Sequence, residues 1–402
     1  MRQINKNILL NAVGNTAYNG LQWLITVIVT RHSGLDVSGS LALAMSVSLM
    51  FRSAVYFGIR NYYVSDRSAV YSDRDYSALR IITAAVGMSS CMIFAFVCGY
   101  DKTALAAIFY FMIYRTAEGF SDLFGGIFQK NDRLDIAGIF LLVKSVMTSV
   151  FFLGGYFAVS LNFGIMLMAF SAVIFLIAAE LPLAVKISAG ISPSFAKLPK
   201  LACETFPMFI YQLEVSVVFN IPKIILPLIC GNGPAGAYSS FFSLALIVQA
   251  TAQYIYTPFT SKFAELFACE KKHSFQRLVL FVGTAILLFM SAFFMLAVFF
   301  GEKITSLLFG SDILRYRHMI VPSVIGACTY SLSCFSGMLL TVQRKIHTLM
   351  TAQTAAAVLS VISTIVLIKI FGENGAAYGT VISTSAAMAL MIFSIFRHNK
   401  LN

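Results

Sequence analysis

Between Phe109 and Asp135 the chain reads FYFMIYRTAEGFSDLFGGIFQKNDRLD, an apolar stretch that carries Arg115, Glu118 and Asp122 before ending in the polar run Gln129 to Arg133. At 100° per residue the two acids fall three and seven positions after the arginine, so the three charges share roughly one sixth of a helical turn. An ionised group at bilayer depth costs on the order of 3 kcal/mol and is turned toward a partner, a bundle interior or a watery cavity. The chemistry this offers is ionic: a cation that can meet an anion, and carboxylates that can hold a coupling ion or lock and release as a gate. The plain alternative is a neutralised cluster that only ties helices together.

Other embedded polar groups extend the pattern. Ser48, Arg52, Tyr56 and Arg60 follow one another at steps of four; Arg60 sits where its long side chain can snorkel to the interface, whereas Arg52 is too deep to do so easily. Lys144 lies about two turns inside its own apolar run. Glu204, Glu214 and Lys223 share a run with Pro207, Pro222 and Pro227, whose rings free backbone carbonyls and permit bending. Asn11, Asn15, Asn19, Gln22 and Thr26 fall within about 80° of one another on a helix, which makes either a water-facing stripe or amide glue between helices. Arg52 and Lys144 have no acid suitably placed on their own helices. An anion from outside the protein is then the economical partner, with Glu214 or Asp122 across the bundle as the alternative. Lys369, at the end of its run, reads as an interfacial anchor.

The elements that position these groups follow from composition. The chain has 402 residues, of which 58% are hydrophobic and only 11% charged, with a mean hydropathy of +0.82. A soluble surface needs more charge than that, so an integral membrane protein is expected. The formal net charge of +12 points to anionic lipid or an anionic substrate, and nucleic acid is disfavoured because no soluble basic domain is present. The seven cysteines stand singly without metal or disulfide spacing, so neither a zinc site nor a disulfide framework is expected. No Walker A, HExxH or GxSxG signature occurs, and His32, His273, His318, His347 and His398 lie at or near loop ends; an enzyme is not expected.

With about 20 apolar residues per crossing, polar breaks divide the chain into twelve runs, near 8–30, 38–60, 79–99, 104–128, 136–159, 161–182, 204–230, 235–260, 278–300, 318–341, 349–370 and 376–396. Of the 29 Lys and Arg, nineteen fall in one alternating set of connections, including both tails, and five in the other, which predicts cytoplasmic termini. The connection 184–203, with Ser192, Pro193 and Pro199, separates six runs from six. It predicts lobes 1–190 and 191–402, arranged as parallel repeats of a kind common in transporters. The other-side loops are short, so the work is expected to be done within the membrane.

Three stretches carry a resemblance. Glu118-Gly-Phe-Ser-Asp-Leu-Phe-Gly-Gly-Ile-Phe-Gln-Lys-Asn-Asp-Arg-Leu-Asp-Ile-Ala-Gly138, Asn220-Ile-Pro-Lys-Ile-Ile-Leu followed by Ala235-Gly-Ala-Tyr-Ser-Ser, and Leu307-Leu-Phe-Gly resemble bacterial polysaccharide repeat-unit flippases. These are the Wzx-type O-antigen and capsule translocases of the multidrug, oligosaccharidyl-lipid and polysaccharide (MOP) exporter superfamily. The resemblance implies an all-α, MATE-like (MOP) fold of about twelve transmembrane helices in two six-helix lobes around a central cavity, in the bacterial inner membrane. It implies a cargo of oligosaccharide on undecaprenyl pyrophosphate, moved by alternating access with H+ or Na+ as coupling ion and no other cofactor or metal. Membrane lipids, a polysaccharide polymerase and a chain-length regulator are the implied partners. On this reading Arg52, Arg115, Lys144 and Lys223 receive the pyrophosphate and Asn15, Asn19 and Tyr56 the sugars, while Glu118, Asp122 and Glu214 couple an ion or act as gates. The competing expectations are a multidrug or cation antiporter of the same fold and, from another class, a membrane-embedded polysaccharide polymerase or acyltransferase.

Overall fold

A computed structural model describes residues 2–66, 70–188, 190 and 193–397, and these are helical with short connections. Arg67, Ser192, His398 and Lys400 lie outside the described residues, as do the side chains of Arg2, Lys6 and Arg397. The helices are α1 (Arg2–Tyr56), α2 (Ile59–Ser65), α3 (Asp73–Val97), α4 (Lys102–Lys130), α5 (Leu134–Ala158), α6 (Leu161–Phe175) and α7 (Leu181–Ile187). They continue with α8 (Leu198–Cys230), α9 (Asn232–Tyr256), α10 (Thr260–Ala268), α11 (Lys272–Phe309), α12 (Ile320–Val342), α13 (Ile346–Phe371) and α14 (Asn374–Arg397).

Among the described residues ten segments are long and apolar enough to cross a membrane. The first, Leu10–Ser65, holds two of the twelve expected runs, which meet at Gly34 (φ 79°, ψ −177°). Helix α4 stands outside the ten although it is 29 residues long, because Arg115, Glu118 and Asp122 dilute its apolar character. With these two adjustments every expected run has its helix. The chain is a multi-pass, all-α membrane protein.

The residues pack into two compact units: Met1–Thr26 with Ala44–Ser216, and Val27–Leu43 with Val217–Asn402. In the first, α2, α3, α4 and α7 close around Ile59, Tyr63, Tyr76, Leu79, Leu123, Phe124, Ile127 and Phe128. Side-chain caps set the starts of α3 and α4. Ser72 and Asp75 form a reciprocal capping box at α3, and Asp101 accepts from the amide of Ala104 at α4. Bonds from Thr103 and that amide hold the Asp101 carboxyl below its usual range.

Small residues bring α1 against α5. A Cβ on Gly14 would stand 2.3 Å from the Gly138 carbonyl oxygen, and a Cβ on Gly138 would stand 2.5 Å from that of Leu10. Such close backbone approach is how helices associate in lipid, where burial of apolar surface gives no drive between them. Gly138→Ala should therefore push α1 away from α5 at a cost of about 1–3 kcal/mol, read as a lower thermal midpoint of the detergent-purified protein.

The second unit uses the same device. The turn of α1 around Gly34 packs on the start of α9, where Cβ atoms on Gly39 and Gly236 would stand 2.0 and 2.1 Å from the carbonyl oxygens of Asn232 and Leu35. Arg31 donates to the Leu307 carbonyl at 2.6 Å. Hydroxyl pairs bind the remaining helices: Tyr238 with Thr380 at 2.7 Å and Thr329 with Thr384 at 2.6 Å.

Candidate functional site

The site builds up from charges that the first unit cannot leave in lipid. On α4, Arg115 bonds Glu118 one turn on, at 2.6 Å, as their spacing requires. The hydroxyl of Tyr18 on α1 donates to Glu118 and accepts from Arg115 at 2.9 Å, which closes a three-membered network. Both ionic side chains are nearly out of reach of solvent, 3% and 6% exposed.

Asp122, one turn further, faces two other cations. Arg80 on α3 reaches it at 3.3 Å and Arg60 on α2 at 3.4 Å. Arg80 also donates to the carbonyl of Val55, one of the orphan acceptors at the end of a helical segment, as does Thr83 at 3.0 Å. Arg60 bonds Gln129 at 3.1 Å with its other nitrogen.

A third cluster joins α5 to the helix after α6. Lys144 pairs with Glu180 at 3.0 Å and donates to Ser121 at 2.5 Å, while Ser121 also bonds Glu180. Glu180 reaches this place because residues Leu176–Glu180 form a π-helical turn between α6 and α7. Such a turn carries an extra residue and shifts the register of side chains after it.

These clusters border one cavity of about 300 Å³. Of the residues named from the sequence, Asn15, Asn19, Arg52, Tyr56, Glu118, Asp122 and Lys144 line it. Arg115 stands behind Glu118, outside the lining, and pairs with that acid. Lys144 lines the cavity but is clasped by Glu180, so its partner is neither the anion from outside expected as the economical one nor the alternatives Glu214 and Asp122, but an acid on another element, where spacing could not show it. Lys223 belongs to the second unit, with its ammonium 4.7 Å over the ring of Phe242, and Glu214 on α8 is not in the lining. Neither is among the residues that line the cavity.

Arg52 is different. Its guanidinium stands 4.9 Å from the ring centre of Tyr56, which has the Arg80 guanidinium at 5.6 Å, and it makes no ion pair with any carboxylate among the described residues. Five cations (Arg52, Arg60, Arg80, Arg115, Lys144) thus stand around or directly behind a cavity wall holding three carboxylates (Glu118, Asp122, Glu180), a surplus of two positive charges. The opposite polar wall is neutral: Asn11, Asn15 and Asn19 project from α1, with Asn15 bonded to the Asn11 carbonyl at 2.8 Å. Of the expected stripe, Asn11, Asn15 and Asn19 face the cavity, whereas Gln22 donates to the Tyr114 hydroxyl at 3.2 Å and Thr26 is outside the lining.

Sequence reading missed Glu180, Ser121, Arg80 and the inward turn of Arg60. Arg80 stands at the very start of the run near 79–99, beside a connection rich in positive charge, and Arg60 reads as a snorkelling side chain; instead Arg80 is wholly buried and Arg60 lines the cavity.

No family model matches the chain. A Staphylococcus aureus protein described as "Capsular polysaccharide biosynthesis protein CapF" is 23% identical over 314 residues, 76% of this chain and 78% of that protein. Among solved structures, an inward-facing multidrug resistance MATE family transporter of the MOP superfamily aligns over 98% of this chain and 99% of its own, with TM-score 0.70 and 13% identity. Lipid II flippase MurJ in an inward closed conformation aligns over 96% and 87%, with TM-score 0.75 and 13% identity. The fold is the one seen in these MATE and MurJ structures. The two solved structures are described as a transporter and a flippase.

Proposed function

We propose that this protein is a flippase that carries undecaprenyl-pyrophosphate-linked oligosaccharide repeat units from the cytoplasmic to the periplasmic leaflet of the bacterial inner membrane by alternating access. The export would serve O-antigen or other surface polysaccharide synthesis, with 1–190 and 191–402 as its working lobes and both termini in the cytoplasm. The observation that carries the reading is the two-charge surplus around the cavity. A diphosphate esterified at both ends carries two negative charges, and Arg52, which makes no ion pair among the described residues, offers the planar fork suited to it. The neutral amides of Asn15 and Asn19 and the ring of Tyr56 suit sugar hydroxyls and faces. At about 300 Å³ the cavity is at the small end of ligand sites, with room for the diphosphate end of the cargo rather than the whole repeat unit.

Glu118 and Asp122 are each occupied by arginine, which favours gating over capture of a free ion; coupling to an H+ or Na+ gradient is part of the proposal. The multidrug reading of the same fold meets the surplus of positive charge, which repels cationic drugs. The similarity to the CapF protein supports polysaccharide over drugs as cargo class.

Replacing Arg52 with glutamine tests the reading. Surface polysaccharide should fall at least about tenfold, the loss of one charge-assisted contact of roughly 1.5–3 kcal/mol, while the protein stays in the membrane at its normal level. Undiminished polysaccharide with Arg52→Gln, or a deletion strain that loses drug resistance and keeps its polysaccharide, would overturn it.

A further inference from the structure

We infer that Arg60 is a second anion-binding arm, parked on Asp122 and handed over to a diphosphate when one enters the cavity; this rests on the diphosphate reading above. Two arginines share the single carboxylate of Asp122, and they are not equivalent. Arg80 has no exposed side-chain surface and is tied to the Val55 carbonyl as well, so it is fixed. Arg60 keeps 32% of its side chain exposed, lines the cavity, and makes its ion pair at 3.4 Å, long for a charge-assisted contact. If Arg60 leaves, the Arg80–Asp122 pair remains neutral and buried groups stay satisfied. The move exposes no uncompensated charge.

The backbone places Arg60 for that exchange. Helix α1 ends at Tyr56, and Phe57 (φ 49°) and Gly58 (φ 69°) both adopt left-handed conformations before α2 begins. Without that break Arg60 would continue the row of Arg52 and Tyr56 along one helix. With it, Arg60 faces Asp122 and Gln129, and both it and Arg52 border the same cavity. Phe57 is stacked on Phe209 at 4.8 Å, and a Cβ on Gly58 would stand 2.5 Å from that of Met208, which holds the turn in place. Two guanidinium forks approaching from either side of a bend match a ligand with two linked phosphates.

The test is calorimetric titration of inorganic pyrophosphate into the full-length, detergent-purified protein, with orthophosphate and phosphatidylglycerol micelles as parallel arms. Arg60→Gln should weaken pyrophosphate binding at least about tenfold, and Arg60→Lys, which keeps the charge and loses the fork, by less. Releasing the arm should do the opposite. Gln129→Leu, which leaves Arg80 untouched, and Asp122→Asn should each tighten binding several-fold, and neither should do so in an Arg60→Gln background. Thermal midpoints of all variants identify any that fail to fold, and Gln129→Leu then carries the test without Asp122→Asn. Pyrophosphate binding that Arg52→Gln abolishes and Arg60→Gln leaves unchanged would overturn the role of Arg60 alone. No pyrophosphate binding by the wild type, or Arg60-dependent binding of phosphatidylglycerol and not pyrophosphate, would overturn it together with the diphosphate reading.

Discussion

Lys144→Met should lower the stability of the detergent-purified protein by about 3–5 kcal/mol, because it strands Glu180 in a wall that solvent barely reaches. Lys144 and Glu180 are each about 4% exposed at the side chain, and their charges are matched only by each other and by the Ser121 hydroxyl. The double variant Lys144→Met with Glu180→Leu should recover most of that loss, since a buried pair replaced by apolar groups of similar size is often neutral. Ser121 would keep its bond to the Ala117 carbonyl at 3.0 Å, so no hydroxyl is left bare. Thermal unfolding of the two single variants and the double variant gives the coupling. A double variant as unstable as Lys144→Met alone would show that the pair is not the unit that matters.

Glu118→Ala should cost a similar amount, about 3–5 kcal/mol, by leaving the buried Arg115 charge with only neutral partners, the Tyr18 hydroxyl and the Tyr114 ring. Tyr18→Phe removes a neutral partner from the same network and should cost about 1–3 kcal/mol. Because the three side chains form one network, the double variant should lose less than the two single losses added together. The same substitution raises the surplus of positive charge at the cavity from two to three, so whatever Glu118→Ala protein remains folded should bind pyrophosphate more tightly than wild type. Weaker binding by the folded fraction would mean that Arg115 must be held by Glu118 for the site to form.

What could be read in advance was what depends on neighbours in sequence. The apolar runs gave the helices because crossing a bilayer constrains length and composition of each segment separately. The Arg115–Glu118 pair and the Asn11–Asn15–Asn19 stripe were legible because both lie on single helices at helical spacing. Asp122 shared the face of Arg115 as predicted, yet its partners Arg60 and Arg80 come from other helices, and no spacing rule reaches across a bundle. The left-handed pair at Phe57 and Gly58 turned Arg60 inward, although the step-of-four row from Ser48 to Arg60 read as one continuous helix. Glu180 stayed hidden for a related reason: periodicity assumes 3.6 residues per turn, and the π turn at 176–180 departs from it. Lys223 and Glu214 were drawn to the site by residue type alone, and neither is among the residues lining the cavity of the first unit.

The surplus of two positive charges bears on energetics of transport as well as recognition. On the export reading, a doubly negative cargo would neutralise it, so that the loaded carrier would sense little of the membrane voltage while the vacated carrier would bear the full imbalance. With a negative interior, returning each positive charge inward is favoured by about 2.3 kcal/mol per 100 mV if it crosses the whole field. On the export reading the voltage would then drive resetting rather than delivery, and depolarised vesicles should slow repeated turnovers while sparing the first.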